Sequence, residues 1–596
     1  MKKHILYIVL IPIILLVGCN DDFMERLPET SISPQAFFKS VKDLELYTNT
    51  YYESIEAEYL DYVSDNCVAF AEASNYNDLI RGSVTPQNVS GWGKDTWAVL
   101  RKYNFFLDNV HNVSGEAAAI NHQIGITRLH RGIWYYKMVK FYCDVPWYST
   151  TLTDTDEELL YKKRDPRTLV VDSIIADLEF AAKHISEDLG NRTQFSRWYA
   201  AAMLARICLH EGTFRKYHEE LNLQSSANTF LNKAVEAAEL VMNSGKFSID
   251  KTGGKEAAYN QMFRGADLSK SPEMILFKDY DMEAMIKHNA AKHTFDWATS
   301  YSRSLMESYQ YITPEGKTVP FSTLPGYDKK SYIEVFENRD PRLSQTIMYP
   351  GFIRVGTSQP YRPNMNFGGY PCIKYAPPTP DQYTNANSYS DLPIFRYAEL
   401  LLIYAEAKAE LGQITQTDLD KSINQIRSRV ELPPTIINEI VEDPNLKQQY
   451  PDISNNPVLL EIRRERRIEL VNENFRWDDL VRWKAGHLIE QVQQGIYLNK
   501  LGVFDVTGDG IPEIGIFESE ATNTVPMEKR ANYTFYYLKN ATGALNTFSL
   551  TNGNSGYIIM NNEIGNRKFK QPQYYYWPIP ITQLTLNPNL GQTIFW

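Results

Sequence analysis

Between residues 36 and 244, apolar side chains recur at helical spacing almost without interruption, which limits this chain to a mainly α architecture. Over 97–109, Trp97, Leu100, Tyr103, Asn104 and Leu107 fall on one helical face. Over 120–141 the stripe is Ile124, Leu129, Ile133, Tyr136 and Val139. Asp165-Pro166 supplies a cap and a first-turn proline for a helix carrying Val170, Ile174, Leu178 and Ala181. Residues 195–209 hold Ala200, Ala201, Ala202 and Ala205, small enough for close helix approach, and 227–242 ends at Asn243-Ser244-Gly245. Such faces are buried only by neighbours, so paired helices stacked like tetratricopeptide hairpins are expected, although the 34-residue consensus is not cleanly present.

The texture changes at 246–392, where Gly, Pro, Asn, Tyr and short β-like runs dominate. A stretch of that length is too long for a passive linker, and long ordered loops usually carry function. Helical patterns return over 394–411, closed by Gly412, then over 418–430 and 459–483. A mixed β/loop region follows 497, and the chain ends in a proline-containing extended tail, 574–596. The expected organisation is 1–18 signal peptide, 19–35 tether and 36–596 a single domain. That domain divides into a helical part (36–245), a loop-rich part (246–392) and a C-terminal part (393–596).

The N-terminus fixes the compartment. Lys2-Lys3 precedes a short apolar run, 5–17, that ends at Gly18-Cys19, the layout of an export signal. The run is too short to span a bilayer, which takes about 20 apolar residues. Leu16-Val17-Gly18-Cys19 resembles a bacterial lipobox, so Cys19 is expected to be acylated and to hold the protein on outer-membrane lipid at the cell surface. Removing Lys2 and Lys3 takes the net charge from −11 to −13. With no basic stripe, an acidic chain of this kind repels phosphate backbones, which sets nucleic acid aside as a partner. Cys67, Cys143, Cys208 and Cys372 form no CxxC pair, so neither a zinc site nor a disulfide scaffold is indicated.

Four segments together resemble the SusD/RagB family of Bacteroidetes outer-membrane lipoproteins. They are residues 19–28 just after the lipidation cysteine, 396–408 (RYAELLLIYAEAK), 461–483 with its arginine-rich helix, and Tyr576-Trp-Pro-Ile-Pro580 with Leu586-Asn-Pro-Asn-Leu590. The resemblance implies a mainly α, SusD-like fold, with four tetratricopeptide-like helix pairs packed against a loop-rich, minor-β ligand-binding half. It also implies a non-catalytic role: an oligosaccharide is captured and passed to a SusC-like TonB-dependent transporter. The alternatives are the same fold binding peptides, as RagB-like members do, and a surface glycoside hydrolase.

In the arginine-rich helix, Arg463, Arg466 and Arg467 share a side with Leu459 and Leu470, while Glu461, Glu465 and Glu469 form another stripe. Arginines beside leucines imply burial, so a structural ion-pair network, with Asp478 and Asp479 as partners, is preferred to an anion clamp. Asp505-Val-Thr507-Gly-Asp509-Gly-Ile511-Pro-Glu513 approximates a calcium hairpin: carboxylates at positions 1, 5 and 9, a hydroxyl at 3 and the Ile511 carbonyl at 7. A plain Asp/Gly turn between strands 502–504 and 514–517 explains the same residues. No cofactor is required by either reading; a structural calcium belongs to the first. No H-E-x-x-H, G-x-S-x-G or phosphate-cradling Gly loop occurs. Sugar binding without chemistry needs aromatic faces beside amides and carboxylates. The candidates are Tyr76, Asn77, Asp78 and Trp92 in a first loop, the last set between glycines that argue against core packing, and Asp296, Trp297 and Tyr301 in a second. Trp97, Trp134, Trp477, Trp483 and Trp577 are assigned to the core.

Overall fold

The computed structural model describes residues 37–596 apart from 62, 70–73, 188–189, 191, 266 and 297–299. Its helices follow the apolar stripes closely. Helix α1 (Lys94–Asn109) buries Leu100, Tyr103 and Asn104 against α2 (Ala117–Tyr142). The next pair is α3 (Arg167–His184) with α4 (Arg197–Tyr217), and the third is α5 (Ala227–Met242) with α6 (Tyr397–Glu410). The fourth sets a broken helix, α7 (Gln416–Lys421) and α8 (Ile423–Ser428), and α9 (Pro457–Glu469) against α6. Among the described residues this gives a stack of neighbouring helices in which α6 is shared between the last two groups, the expected mainly α fold. Small residues make the crossings possible: at Gly212 of α4 a Cβ would stand 2.8 Å from the Leu231 side chain and 3.1 Å from its backbone nitrogen. One continuous core runs through α1–α6 and takes in Ile579 and Leu590 of the C-terminal tail, while a separate apolar cluster joins α6 to α7, α8 and α9.

The strands are short and lie outside the helical array. Met274–Lys278 pairs antiparallel with Leu392–Arg396. Gly502–Phe504, Ile514–Phe517 and Thr534–Tyr537 form one three-stranded sheet, and Tyr497–Leu498, Gly556–Met560 and Phe548–Leu550 form another. These sheets share a second core with the tail residues Tyr574, Tyr575 and Tyr576.

Three helical segments are shorter than their periodicity predicts. Residues 394–396 belong to the strand, because their backbone is engaged with Met274–Lys278, and helix begins only at Tyr397. The 418–430 segment breaks at Ser422, whose hydroxyl donates to the Asp418 carbonyl at 2.6 Å. The 459–483 segment is two helices, α9 and α10 (Arg476–Arg482), separated by a turn in which Asn472 and Asn474 both take φ near 60°. Asparagine tolerates that left-handed region better than most side chains.

Helix α9 is buried along its whole charged length, from Leu459 to Glu469. Glu469 accepts from three arginines on different segments: Arg342 (2.9 Å), Arg396 (2.6 Å) and Arg429 (2.6 Å). Glu273 joins Arg396 and Arg429, and Asp340 and Glu465 complete Arg342. Arg466 finds Asp479 at 2.8 Å as expected, whereas Asp478 pairs with Lys140 of α2 at 2.7 Å instead. The arginine-rich helix is therefore the joint between helical array and loop-rich half, matched charge for charge.

Candidate functional site

A two-stranded antiparallel ribbon pairs Cys67 with Tyr301 and Ala69 with Ser300. Trp297 lies outside the described residues, as does Cys19. Asp296 closes a single π-helical turn, Lys292–Asp296. Tyr76, Asn77 and Asp78 lie in a short helix, Ser74–Arg81, and not in the loop expected. Asp78 is half-buried there; it accepts from the Ser83 hydroxyl at 2.7 Å, with the Asn88 amide at 3.5 Å.

Asp78 lines a cavity of about 350 Å³ beside Asn88, Phe141, Asn474, Trp477 and Trp577. Both tryptophans pack against the apolar core, as expected, but are only half-buried and also line this cavity. The backbone fixes Trp577 there: its N–H donates to the Phe141 carbonyl at 2.7 Å, which holds the tail against the end of α2. Trp477 sits on α10 between Arg476 and Asp478, and an indole on the charged side of a helix is the sequence signal that was available for it. On the cavity floor, burial raises the Asp61 carboxyl, although Asn472 N–H and Asn66 donate to it. Its Oδ1 makes no hydrogen bond among the described residues.

A second cavity, of about 530 Å³, opens on the other side of the stretch 84–97 and is walled by Trp92, Trp97, Tyr148, Tyr161, Gln583 and Asn587. Trp97 lines it, 5.0 Å from Trp134 and 5.7 Å from Tyr148 ring to ring, and is half-buried while packing against the core. Trp134 and Trp483 are core residues as expected.

Two candidates are corrected outright. Trp92 is 3 % exposed and packs edge-on against Trp97 and Tyr142 at 5.4 and 4.8 Å. The neighbouring glycine seats it there: Gly91 has φ 104°, and a Cβ would meet the Tyr142 hydroxyl at 3.0 Å, so the flexibility read as a surface sign is what turns the ring inward. Tyr301 is fully buried, and its hydroxyl donates to Asn472 Oδ1; it is an anchor of the ribbon and presents no face to a ligand.

The acidic loop folds as the alternating pattern requires. Strands Gly502–Phe504 and Ile514–Phe517 pair antiparallel around it. Carboxylate oxygens of Asp505, Asp509 and Glu513 lie within 4.8 Å of one another, the one such group among the described residues. Asp505 accepts backbone N–H bonds from Thr507, Gly508 and Gly510 at 2.7–2.9 Å, the Thr507 hydroxyl donates to Glu513 at 2.8 Å, and Ile511 N–H donates to Asp509 at 2.8 Å. The Ile511 side chain points to solvent.

A stack of helix pairs with a loop-rich, aromatic-lined half defines the SusD class of architecture. The SusD family profile matches residues 238–596, and a second, described as "Starch-binding associating with outer membrane", matches residues 22–209. This chain belongs to the SusD family. SusD-like protein P2 of Formosa agariphila is 24% identical over 522 residues, which cover 82% of this chain and 92% of that protein. A SusD-like carbohydrate binding protein from Bacteroides fragilis superposes with a TM-score of 0.65 at 21% identity, over 92% of this chain and 99% of that one. A laminarin binding SusD-like protein superposes with a TM-score of 0.54 at 17% identity, over 94% of this chain and all of the other. No helix among the described residues is long and apolar enough to cross a membrane.

Proposed function

We propose that this protein is a non-catalytic glycan-capture lipoprotein of the cell surface, acylated at Cys19, which hands oligosaccharide to a SusC-like TonB-dependent importer. The observation that carries the reading is the stretch 84–97 with its two flanking cavities. Each sets half-exposed indole or phenol rings beside amides, and the first adds the Asp78 carboxylate. Rings stack on the C–H faces of sugars while amides and carboxylates bond hydroxyls, and no reacting group is needed for either. Stacking is worth about 1 kcal/mol per ring, so capture depends on several rings acting at once. From their side-chain chemistry alone, Tyr76, Asn77, Asp296 and Trp297 are proposed as further ligand contacts.

The test is retention of the full chain in gels carrying laminarin, starch or other polysaccharides, compared with Trp477→Ala and Trp97→Ala. Loss of one stacking ring should weaken binding about fivefold. Unchanged retention in both variants refutes the assignment. Selective retention by a peptide library points to a RagB-like ligand, and release of reducing sugar points to a hydrolase.

The acidic loop is proposed to hold a structural calcium. Ca²⁺–O distances of about 2.3–2.6 Å place ligands on opposite sides of the ion about 5 Å apart, which the carboxylate spread matches. Asp505, Asp509 and Glu513 would supply charge, Thr507 a hydroxyl and Ile511 its backbone carbonyl. Calorimetry of EDTA-treated protein with calcium chloride decides it: heat and a raised melting temperature are expected, and neither appears if the loop is a plain turn.

A further inference from the structure

Four carboxylates and one ammonium group border the cavity of Trp477 and Trp577: Glu58, Asp61, Asp78 and Asp478 against Lys140. Lys140 is taken up by Asp478 at 2.7 Å, so that pair shows a ligand no net charge. Asp61 is 5 % exposed, and the Asn66 amide and the Asn472 N–H hold it on the floor. Asp78 and Glu58 are held by no cation among the described residues. Asp78 accepts only from neutral groups, Ser83 and Asn88. Glu58 is exposed, and Lys137 and Lys140 act on it through space without forming an ion pair.

Lys137 is the other cation in reach, exposed one turn before Lys140 on α2. Counting it, four carboxylates face two ammonium groups, and the rim keeps an excess of two negative charges. The rest of the wall is blind to ligand charge. Trp477 and Trp577 stack on any pyranose C–H face, and the Asn88 and Asn474 amides bond hydroxyl, carboxylate and sulfate oxygens alike. The carboxylates do distinguish. Ionised, they only accept, so a sugar hydroxyl can donate to them, whereas a sulfate or uronate oxygen brings no hydrogen and adds like charge.

Granted that this cavity is part of the glycan surface, as proposed above, we infer that Glu58 and Asp78 set its specificity: neutral glycan chains are admitted, and chains carrying sulfate or uronate groups are rejected. Two like unit charges about 8 Å apart in a water-like dielectric weaken binding a little over twofold, so the two carboxylates together weaken it about sixfold. The net charge of −11 acts in the same direction at longer range.

Isothermal titration of the full chain tests this, with laminarin, pullulan and galactomannan oligosaccharides, each beside its chemically sulfated form, and with alginate. At about 10 mM salt, where charges are felt over about 30 Å, a neutral polymer that binds should do so about sixfold more tightly than its sulfated form. At about 1 M salt, where that reach falls to about 3 Å, the two should converge. Glu58→Gln, at an exposed position, should narrow the low-salt gap to about twofold, and Glu58→Lys should close it. A gap that survives high salt or Glu58→Lys is steric and overturns the inference. Alginate or a sulfated form that binds as tightly as the neutral polymers overturns it too, and in each of these cases the glycan reading stands. If no polymer binds, neutral or charged, that reading falls and the specificity falls with it.

Discussion

Glu469 is the residue whose loss should cost most. It is fully buried, and guanidinium groups from Arg342, Arg396 and Arg429 reach it from three separate segments. Burial alone would raise its pKa, but those arginines hold it far below the usual carboxylate range. Glu469→Ala leaves Arg342 with Asp340 and Glu465 and Arg396 with Glu273 and Glu473, but strips Arg429 of one of its two carboxylates and leaves it sharing Glu273 alone. Breaking a buried ion pair by removing one partner costs about 3–5 kcal/mol. For a body of about 560 residues, an unfolding entropy near 2.1 cal/mol/K per residue gives roughly 1.2 kcal/mol/K, so the melting temperature should fall by about 3–4 °C. Scanning calorimetry of wild type, Glu469→Ala and Glu469→Gln measures it. Glu469→Gln should fare no better than Ala, since its amide N–H₂ would face guanidinium donors. The same carboxylates set the acid limit. Burial opposes ionisation of Asp65, but Arg467 and Arg476 hold it at about 2, below its unfolded value of 3.8. A lowered folded value means stability present above pH ~4 and lost as pH falls toward 2, and Glu469 and Glu473 act in the same sense. A Glu469→Ala protein that melts at or above the wild-type temperature would show that the network is not the joint described here.

Other outcomes follow from single contacts. Asp391, buried between the Leu268 and Tyr280 N–H groups, is raised from 3.8 to about 7 by that burial. A raised carboxyl lends stability below pH ~4 that is lost as pH climbs through 7, so Asp391→Asn should flatten this slope, read as the melting-temperature difference from wild type between pH 4.5 and 7.5. Gly212→Val drives a branched side chain into Leu231, and overpacking of this kind costs about 1–3 kcal/mol, visible as an earlier midpoint in urea. Gly495→Ala meets the Gly368 backbone at 2.7 Å or less, where no side chain can give way, and should reduce the yield of folded protein more than Gly212→Ala.

The helices were legible because their stripes answer to one local rule. Leu100 and Tyr103 are buried as spaced, and 227–242 begins and ends where its caps indicate. What failed was decided by distant partners. Residues 394–396 carry a good helical pattern, yet Met274–Lys278 recruits their backbone from some 120 positions away. Asp478 and Asp479 are adjacent in sequence and alike in chemistry. Helix α10 turns one toward Arg466 and the other toward Lys140, a choice set by packing that spacing does not encode.

The site was harder for the same reason. Whether an aromatic ring is enclosed or faces a cavity depends on what lies opposite, and Trp92 is enclosed and Trp477 is not on that account. Trp92 had flexible neighbours, which were read as exposure, but Gly91 is needed to swing the indole onto Tyr142. Trp477 packs against the core as expected, but its neighbours Arg476 and Asp478 are drawn to Asp65 and Lys140, and the ring also lines the cavity. Binding surface in this fold is thus a by-product of how the ion pairs are satisfied. Substituting Asp65, which does not line the Trp477 cavity, should therefore loosen glycan retention as well as stability: Asp65→Asn leaves Arg476 without its carboxylate at 2.7 Å and frees α10 to shift. Retention on polysaccharide gels that is unaltered in a folded Asp65→Asn protein would separate the two and show that the tryptophan is placed by its own packing.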